Sequence, residues 1–149
     1  MGLIEDVGSG PVGLDTVPFI YLIEEHPRFL PVVEPLFTAI DAGALRGVTS
    51  ALTLLETLVV PYRVGDGPLA ERYEALLTRS RGIRLVDLDR SLFRAAAQLR
   101  ARLGLKTPDA LQVAAALIDR CSAFITNDRR FPSIPGLRIL QLRDYASAG

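Results

Sequence analysis

Apolar and polar residues fall in blocks along this chain, and the blocks come in two lengths. Short apolar runs, too brief for a stable helix, occupy Val12–Leu14, Ala123–Thr126 and residues 137–140, and a weaker one lies at 46–49. Residues 83–88 alternate and read as a further strand. Between these runs the apolar positions take helical spacing. A helix over 18–25 ends at His26-Pro27, and one over 30–42 stops at Gly43. Ser50 caps the next helix and Pro61 ends it. There Leu52, Leu55 and Val59 stand at i, i+3 and i+7, the spacing of a buried stripe, with Glu56 at i+4 on the same stripe. After the turn Gly65-Asp66-Gly67-Pro68 come helices over 69–78 and 91–103. The second buries Leu92, Ala96, Leu99 and Leu103 and stops at Gly104. Thr107 caps and Pro108 opens a last helix, to about Asp119.

Strands alternating with helices predict an α/β fold: a Rossmann-like three-layer sandwich whose mostly parallel central sheet is flanked by helices. The 149 residues favour one domain, and 49% hydrophobic content supplies its core. Residues 1–11 are Gly-rich and read as a flexible extension ahead of a single domain over 12–145. Seventeen basic residues balance seventeen acidic ones, so nucleic-acid contact needs a local basic patch. Cys121 is the only cysteine, which forbids an intrachain disulfide and suits a reducing compartment. The N-terminus lacks a basic start and an apolar core, and no apolar run reaches membrane-span length. The expectation is a cytoplasmic protein with no membrane partner. His26 is the only histidine, which excludes His-rich zinc sites and paired-histidine acid–base chemistry.

Four acids stand out. Asp15 ends the first apolar run, Glu56 interrupts an apolar helix face, Asp109 opens a hydrophobic helix, and Asp128 follows the strand ending at Thr126. Each has a plainer reading: Asp15 as a helix cap, Asp109 as an acid favoured by the helix dipole, Asp128 as a turn residue, Glu56 as a paired or outward-reaching carboxylate. Together they suggest more. Parallel sheets build sites beyond the carboxyl ends of their strands. Two carboxylates about 4 Å apart repel by on the order of 4 kcal/mol at an effective dielectric near 20. Converging acids therefore bind protons or a divalent cation, and an all-oxygen set suits Mg²⁺ or Mn²⁺.

The stretches Gly13-Leu14-Asp15-Thr16-Val17-Pro18-Phe19-Ile20-Tyr21-Leu22, Thr49-Ser50 through Leu55-Glu56-Thr57-Leu58, Leu105-Lys106-Thr107-Pro108-Asp109-Ala110-Leu111 and Phe124-Ile125-Thr126-Asn127-Asp128-Arg129-Arg130-Phe131 resemble a PIN-domain ribonuclease, specifically a VapC-type toxin of a type II toxin–antitoxin pair. The resemblance spans residues 13–131. It implies a central sheet of about four or five strands. It also implies metal-dependent endonucleolytic cleavage of RNA to a 5′-phosphate and a 3′-hydroxyl. Asp15, Glu56, Asp109 and Asp128 match the family's metal-binding and catalytic acids, Thr126 matches a supporting hydroxyl residue, and Asn127 is a further supporting candidate. A homodimer and a small cognate antitoxin are likewise implied. The chain departs from the family's pattern in the stretch of about eleven residues ahead of its first strand.

On that basis Asp15, Asp109 and Asp128 are expected to hold the main Mg²⁺ or Mn²⁺ ion, with Glu56 assisting directly or through water. Arg129, Arg130, Arg63 and Lys106 are candidates for the RNA backbone. A haloacid-dehalogenase-type phosphatase needs a second Asp where Val17 stands, a receiver domain needs paired acids before the phosphoacceptor, and a dinucleotide site needs glycines that Asp15-Thr16-Val17-Pro18 lacks. Two alternatives remain: a PIN-like module that binds RNA or a partner without cleaving, and an RNA-processing nuclease without an antitoxin.

Overall fold

The computed structural model of the chain describes residues 2–147. Five parallel strands, β1 (Val12–Leu14), β2 (Gly47–Ser50), β3 (Ile83–Val86), β4 (Ala123–Thr126) and β5 (Arg138–Gln141), form one sheet in the order β3-β2-β1-β4-β5. The chain starts at the centre, winds outward to β3, then returns across β1 to lay down β4. The direction of winding therefore reverses between β1 and β4, which is where a doubly wound sheet opens a crevice beyond its strand ends.

Because helices cover both faces, β1, β2 and β4 are buried along their whole length and carry no polar alternation. On one face Val12, Leu14, Ala123 and Ile125 pack against α1 (Leu3–Val7), α2 (Thr16–Ile23), α3 (Leu30–Asp41) and α5 (Gly67–Arg79). On the other, Val48, Val86 and Phe124 meet α6 (Arg90–Leu103) and α7 (Thr107–Ile118). The helix α4 (Leu52–Val64) leaves the end of β2 and packs beside α5 through Leu58, Ala70 and Tyr73. Among the described residues no helix is long and apolar enough to cross a membrane.

Gly13 sets the spacing between sheet and α7. A Cβ there would lie 2.8 Å from Ala116 Cβ and 2.9 Å from Phe124 Cδ1, so only glycine allows α7 this close to β1. Asp89 caps α6 by accepting from Leu92 N at 2.9 Å, and Gly104 ends it at φ 68°.

The predicted strands lie within a residue or two of the observed ones, but several readings need correction, the smallest at α7, where Lys106 rather than Thr107 is the N-cap and no side chain caps the first turn. The stretch ahead of β1 is not a loose extension throughout. Residues Leu3–Val7 form a helical turn whose Leu3 and Val7 sit in the core, and Arg138 and Tyr145 hold Asp6 from β5 and beyond. Pro61 does not end α4. It sits inside the helix, which continues to Val64 and closes at Gly65 with φ 72°. The stripe in α4 is also misplaced. Leu55 is 60% exposed and Val59 lies open, while Thr53, Thr57 and Leu58 are buried: Thr53 meets a hydroxyl and an amide, and Leu58 packs on α5.

Replacing Gly13 by alanine is expected to destabilise the fold by about 1–3 kcal/mol, the usual range for overpacking a filled core. Urea unfolding measures it, and an unchanged midpoint would show that α7 can back away from the sheet freely.

Candidate active site

Two acids are placed by the sheet. Asp15 is the first residue past β1, and its N–H still donates to Ile125 O of β4 at 2.9 Å. Its carboxylate accepts from Thr16 N at 2.8 Å and from the Thr126 hydroxyl at 2.7 Å. Thr126, fully buried at the end of β4, also accepts from Asp128 N at 3.2 Å. One threonine thus ties the ends of the two central strands together and fixes both acids that follow them.

Asp109 reaches the same rim from the first turn of α7. Its pKa is raised, first by burial and then by the negative charges of Asp15 and Asp128, with Arg130 and Lys106 opposing the shift. Asp15 is also raised, chiefly by burial. Its hydrogen bonds from Thr126 and Thr16 pull the other way, and Asp128 adds a smaller upward push. Asp109 thus responds to both other carboxylates, and Asp15 to Asp128. Asp128 is lowered instead, because Arg130 grips it with its side chain and its backbone N–H. The guanidinium donates from Nε to Oδ1 at 3.1 Å and from Nη2 to Oδ2 at 3.2 Å.

Glu56 joins through an intermediary. On the exposed side of α4 it accepts from the Thr16 hydroxyl at 2.5 Å, and Thr16 is the neighbour of Asp15. The stripe reading of Glu56 as a carboxylate on a buried apolar face is thus overturned. Lys106 precedes α7 and acts electrostatically on both Asp109 and Asp128. A cleft of about 250 Å³ is lined by Asp109 and Asp128 together with Lys106, Arg130, Leu105 and Pro132.

Other candidates lie apart. Asn127 is fully engaged behind the site. Its amide donates to Tyr21 Oη at 3.2 Å, and its Oδ1 accepts from Arg143 N and Nε at 3.1 and 3.2 Å. Arg129 is exposed, and Arg63 sits in the last turn of α4, two turns beyond Glu56. His26 accepts from Arg28 N and Phe29 N through its Nδ1 ahead of α3. Sequence reading missed the hydroxyl and amide groups beneath the acids, namely Thr16, Thr49, Thr53 and Gln112. Their trace in the sequence is a glutamine inside the apolar helix Thr107–Ile118 and threonines spaced by four at 49, 53 and 57.

The donor set suits a hard divalent ion, since it is all oxygen and two of its carboxyls are already pushed toward protonation. Among the described residues, no group of three or more acidic, histidine or cysteine side chains is yet drawn together to hold a metal.

The PIN domain profile matches residues 12–137. The chain belongs to the PIN domain family. Comparison with curated protein sequences returned no match. Solved structures share the PIN fold. A toxin–antitoxin complex from Klebsiella pneumoniae aligns at TM-score 0.62 and 21% identity, covering 85% of this chain and 93% of that one. VapBC2 from Rickettsia felis, bound to a promoter DNA fragment, aligns at 0.63 and 19%, covering 87% and 97%. DNA-bound VapBC from Salmonella typhimurium aligns at 0.58 and 23%, covering 88% and 97%.

The raised pKa of Asp109 fixes the sign of a stability effect. Its folded value lies above the ordinary 3.8, so between the two the folded protein holds more protons than the unfolded chain. The metal-free fold loses stability as pH rises through that window. Asp109→Asn is therefore expected to raise the thermal midpoint in EDTA by a few degrees at neutral pH, with the gain fading as pH falls toward the unfolded value. A midpoint below wild type at neutral pH would show that Asp109 is held by favourable contacts rather than crowded by neighbouring charge.

Proposed function

We propose that this PIN domain is a Mg²⁺- or Mn²⁺-dependent endoribonuclease and the toxin of a VapBC-type toxin–antitoxin pair. The observation that carries this reading is the placement of Asp15 and Asp128 just beyond the ends of β1 and β4, tied together through Thr126, with Asp109 on α7 raised by the negative charge of both. Carboxylates at a strand-end crevice carry an excess of negative charge that a divalent cation relieves. The similarity in fold to VapBC toxin–antitoxin complexes supports the toxin reading and an antitoxin as partner.

In this reading Asp15, Asp109 and Asp128 hold the ion and Glu56 completes the set. The bound ion supplies a water of lowered pKa and offsets charge building on the phosphate. Asp15 is the fixed point, because its two hydrogen bonds leave its carboxylate little freedom. Lys106 and Arg130 line the cleft beside the acids, where they contact phosphates and set the register of the backbone without reading its sequence. Arg130 must loosen its grip on Asp128 to do so. Arg129 and Arg63 extend the basic track on either side. Single-stranded RNA suits the cleft, since its unstacked bases can splay into a shallow site. A homodimer belongs to the same proposal, and the exposed Leu55, Val60, Tyr62 and Val64 of α4 give it unburied apolar surface.

Cleavage of total cellular RNA by purified, folded protein tests the proposal, with Mg²⁺, Mn²⁺ or EDTA and with Asp15→Asn prepared in parallel. The expected result is discrete fragments that require metal and fall by at least about 100-fold in the variant, the loss usual when a group stabilising the transition state is removed. Intact RNA under every condition would sink the nuclease reading and favour a binding module.

A further inference from the structure

Gln112 is 3% exposed in the middle of α7, among Val113, Ala114, Ala115 and Ala116, all buried. A buried amide there is costly unless every polar atom is used, and here all are. Its Oε1 accepts from the Ser50 hydroxyl at 2.9 Å and from Ser50 N at 3.3 Å. Its Nε2 reaches Thr53 Oγ1 at 2.8 Å and Thr16 Oγ1 at 3.3 Å.

Donor and acceptor rules then fix the direction of every hydroxyl. An amide NH₂ donates only, so Thr53 and Thr16 both accept from it. Thr49 donates to Leu14 O at 2.8 Å, so it accepts from Thr53, which lies 2.7 Å away. Thr16 must spend its own proton on Glu56 Oε1 at 2.5 Å. Two one-way chains leave a single amide. One ends on the carboxylate of Glu56, and the other ends on the carbonyl directly ahead of Asp15.

We propose that Gln112 is a positioning residue: its amide orients the Thr16 hydroxyl toward Glu56 and so holds that carboxylate beside Asp15. Replace the amide by hydrocarbon and the Thr16 hydroxyl can turn to Thr53, 3.4 Å away. Glu56, exposed and without another hydrogen bond to hold it, then leaves the rim. The proposal deepens the metal-dependent reading above and rests on it for its consequence, though not for its geometry.

The test uses Gln112→Met, which keeps the volume, and Gln112→Glu, which keeps the size but puts an acceptor where the donor stood. Two readouts separate the questions. In metal-free protein, the Hα–Hβ couplings of Glu56 should report one rotamer in the wild type and averaging in both variants. Mn²⁺ affinity, measured by electron paramagnetic resonance on protein alone, should fall by about 10-fold or more in Gln112→Met, the usual effect of removing a group that orients a ligand. It should fall no further when Gln112→Met is added to Glu56→Gln. A single Glu56 rotamer in either folded variant, or additive losses of Mn²⁺ affinity, would overturn the proposal and leave Gln112 a structural residue. A wild type that binds no Mn²⁺ would instead overturn the metal-dependent reading, and the couplings would still decide the positioning role.

Discussion

The structure depends on keeping a carboxylate largely out of water at the end of its central strand. Asp15 emerges where β1 is flanked on both sides by parallel neighbours, and an unpartnered charge there would be expensive. The Thr126 hydroxyl and the Thr16 amide meet that cost with two hydrogen bonds to a charged acceptor. Each partner has a further duty. Thr126 also holds the backbone of Asp128, and Thr16 also holds Glu56. Stabilising one acid thus places two more.

Asp109 shows which electrostatic effect wins at the rim. Its position in the first turn of α7 favours the charged form by roughly 0.3–1 kcal/mol through the helix dipole. Burial of the carboxyl, followed by the negative charges of Asp15 and Asp128, opposes it and prevails. The upward shift follows that ordering, and the cations Arg130 and Lys106 only moderate it. Asp128 escapes because Arg130 grips it directly. Arg130 thus offsets the charge of one acid, while Asp15 and Asp109 are left with raised pKa values.

Much of this was legible in the sequence, for a physical reason. Strands buried on both faces read as unbroken apolar runs, so β1 and β4 announced themselves, and an acid directly after such a run falls at the strand end. The helix stops at Gly43 and Gly104 were legible because only glycine relaxes easily at positive φ. Helix α4 was misread because apolar periodicity presumes an apolar partner. Its inward threonines pack on a polar network, which pushes Leu55 outward. The helical turn Leu3–Val7 was missed because five residues give no periodicity to count, and tertiary contacts to Asp6 hold it instead. Asn127 was noticed for its place beside Asp128, yet its partners Tyr21 and Arg143 lie far away in sequence and could not be foreseen.

The polar network under the acids also bears on why such a device persists in a core that hydrocarbon could fill. A leucine at 112 with valines at 53 and 16 and an alanine at 50 would bury more apolar area in place of most of these polar groups. Such replacements are often neutral or stabilising. Hydrocarbon, however, has no direction. A chain of hydroxyls that starts at an obligatory donor and ends at an obligatory acceptor has only one satisfied arrangement, and that arrangement aims a proton at Glu56. The exposed Glu56 side chain has no packing to fix it, so direction must come from a hydrogen bond. Gln112 supplies that direction from the same helix that carries Asp109, so any shift of α7 moves Asp109 directly and Glu56 through the relay.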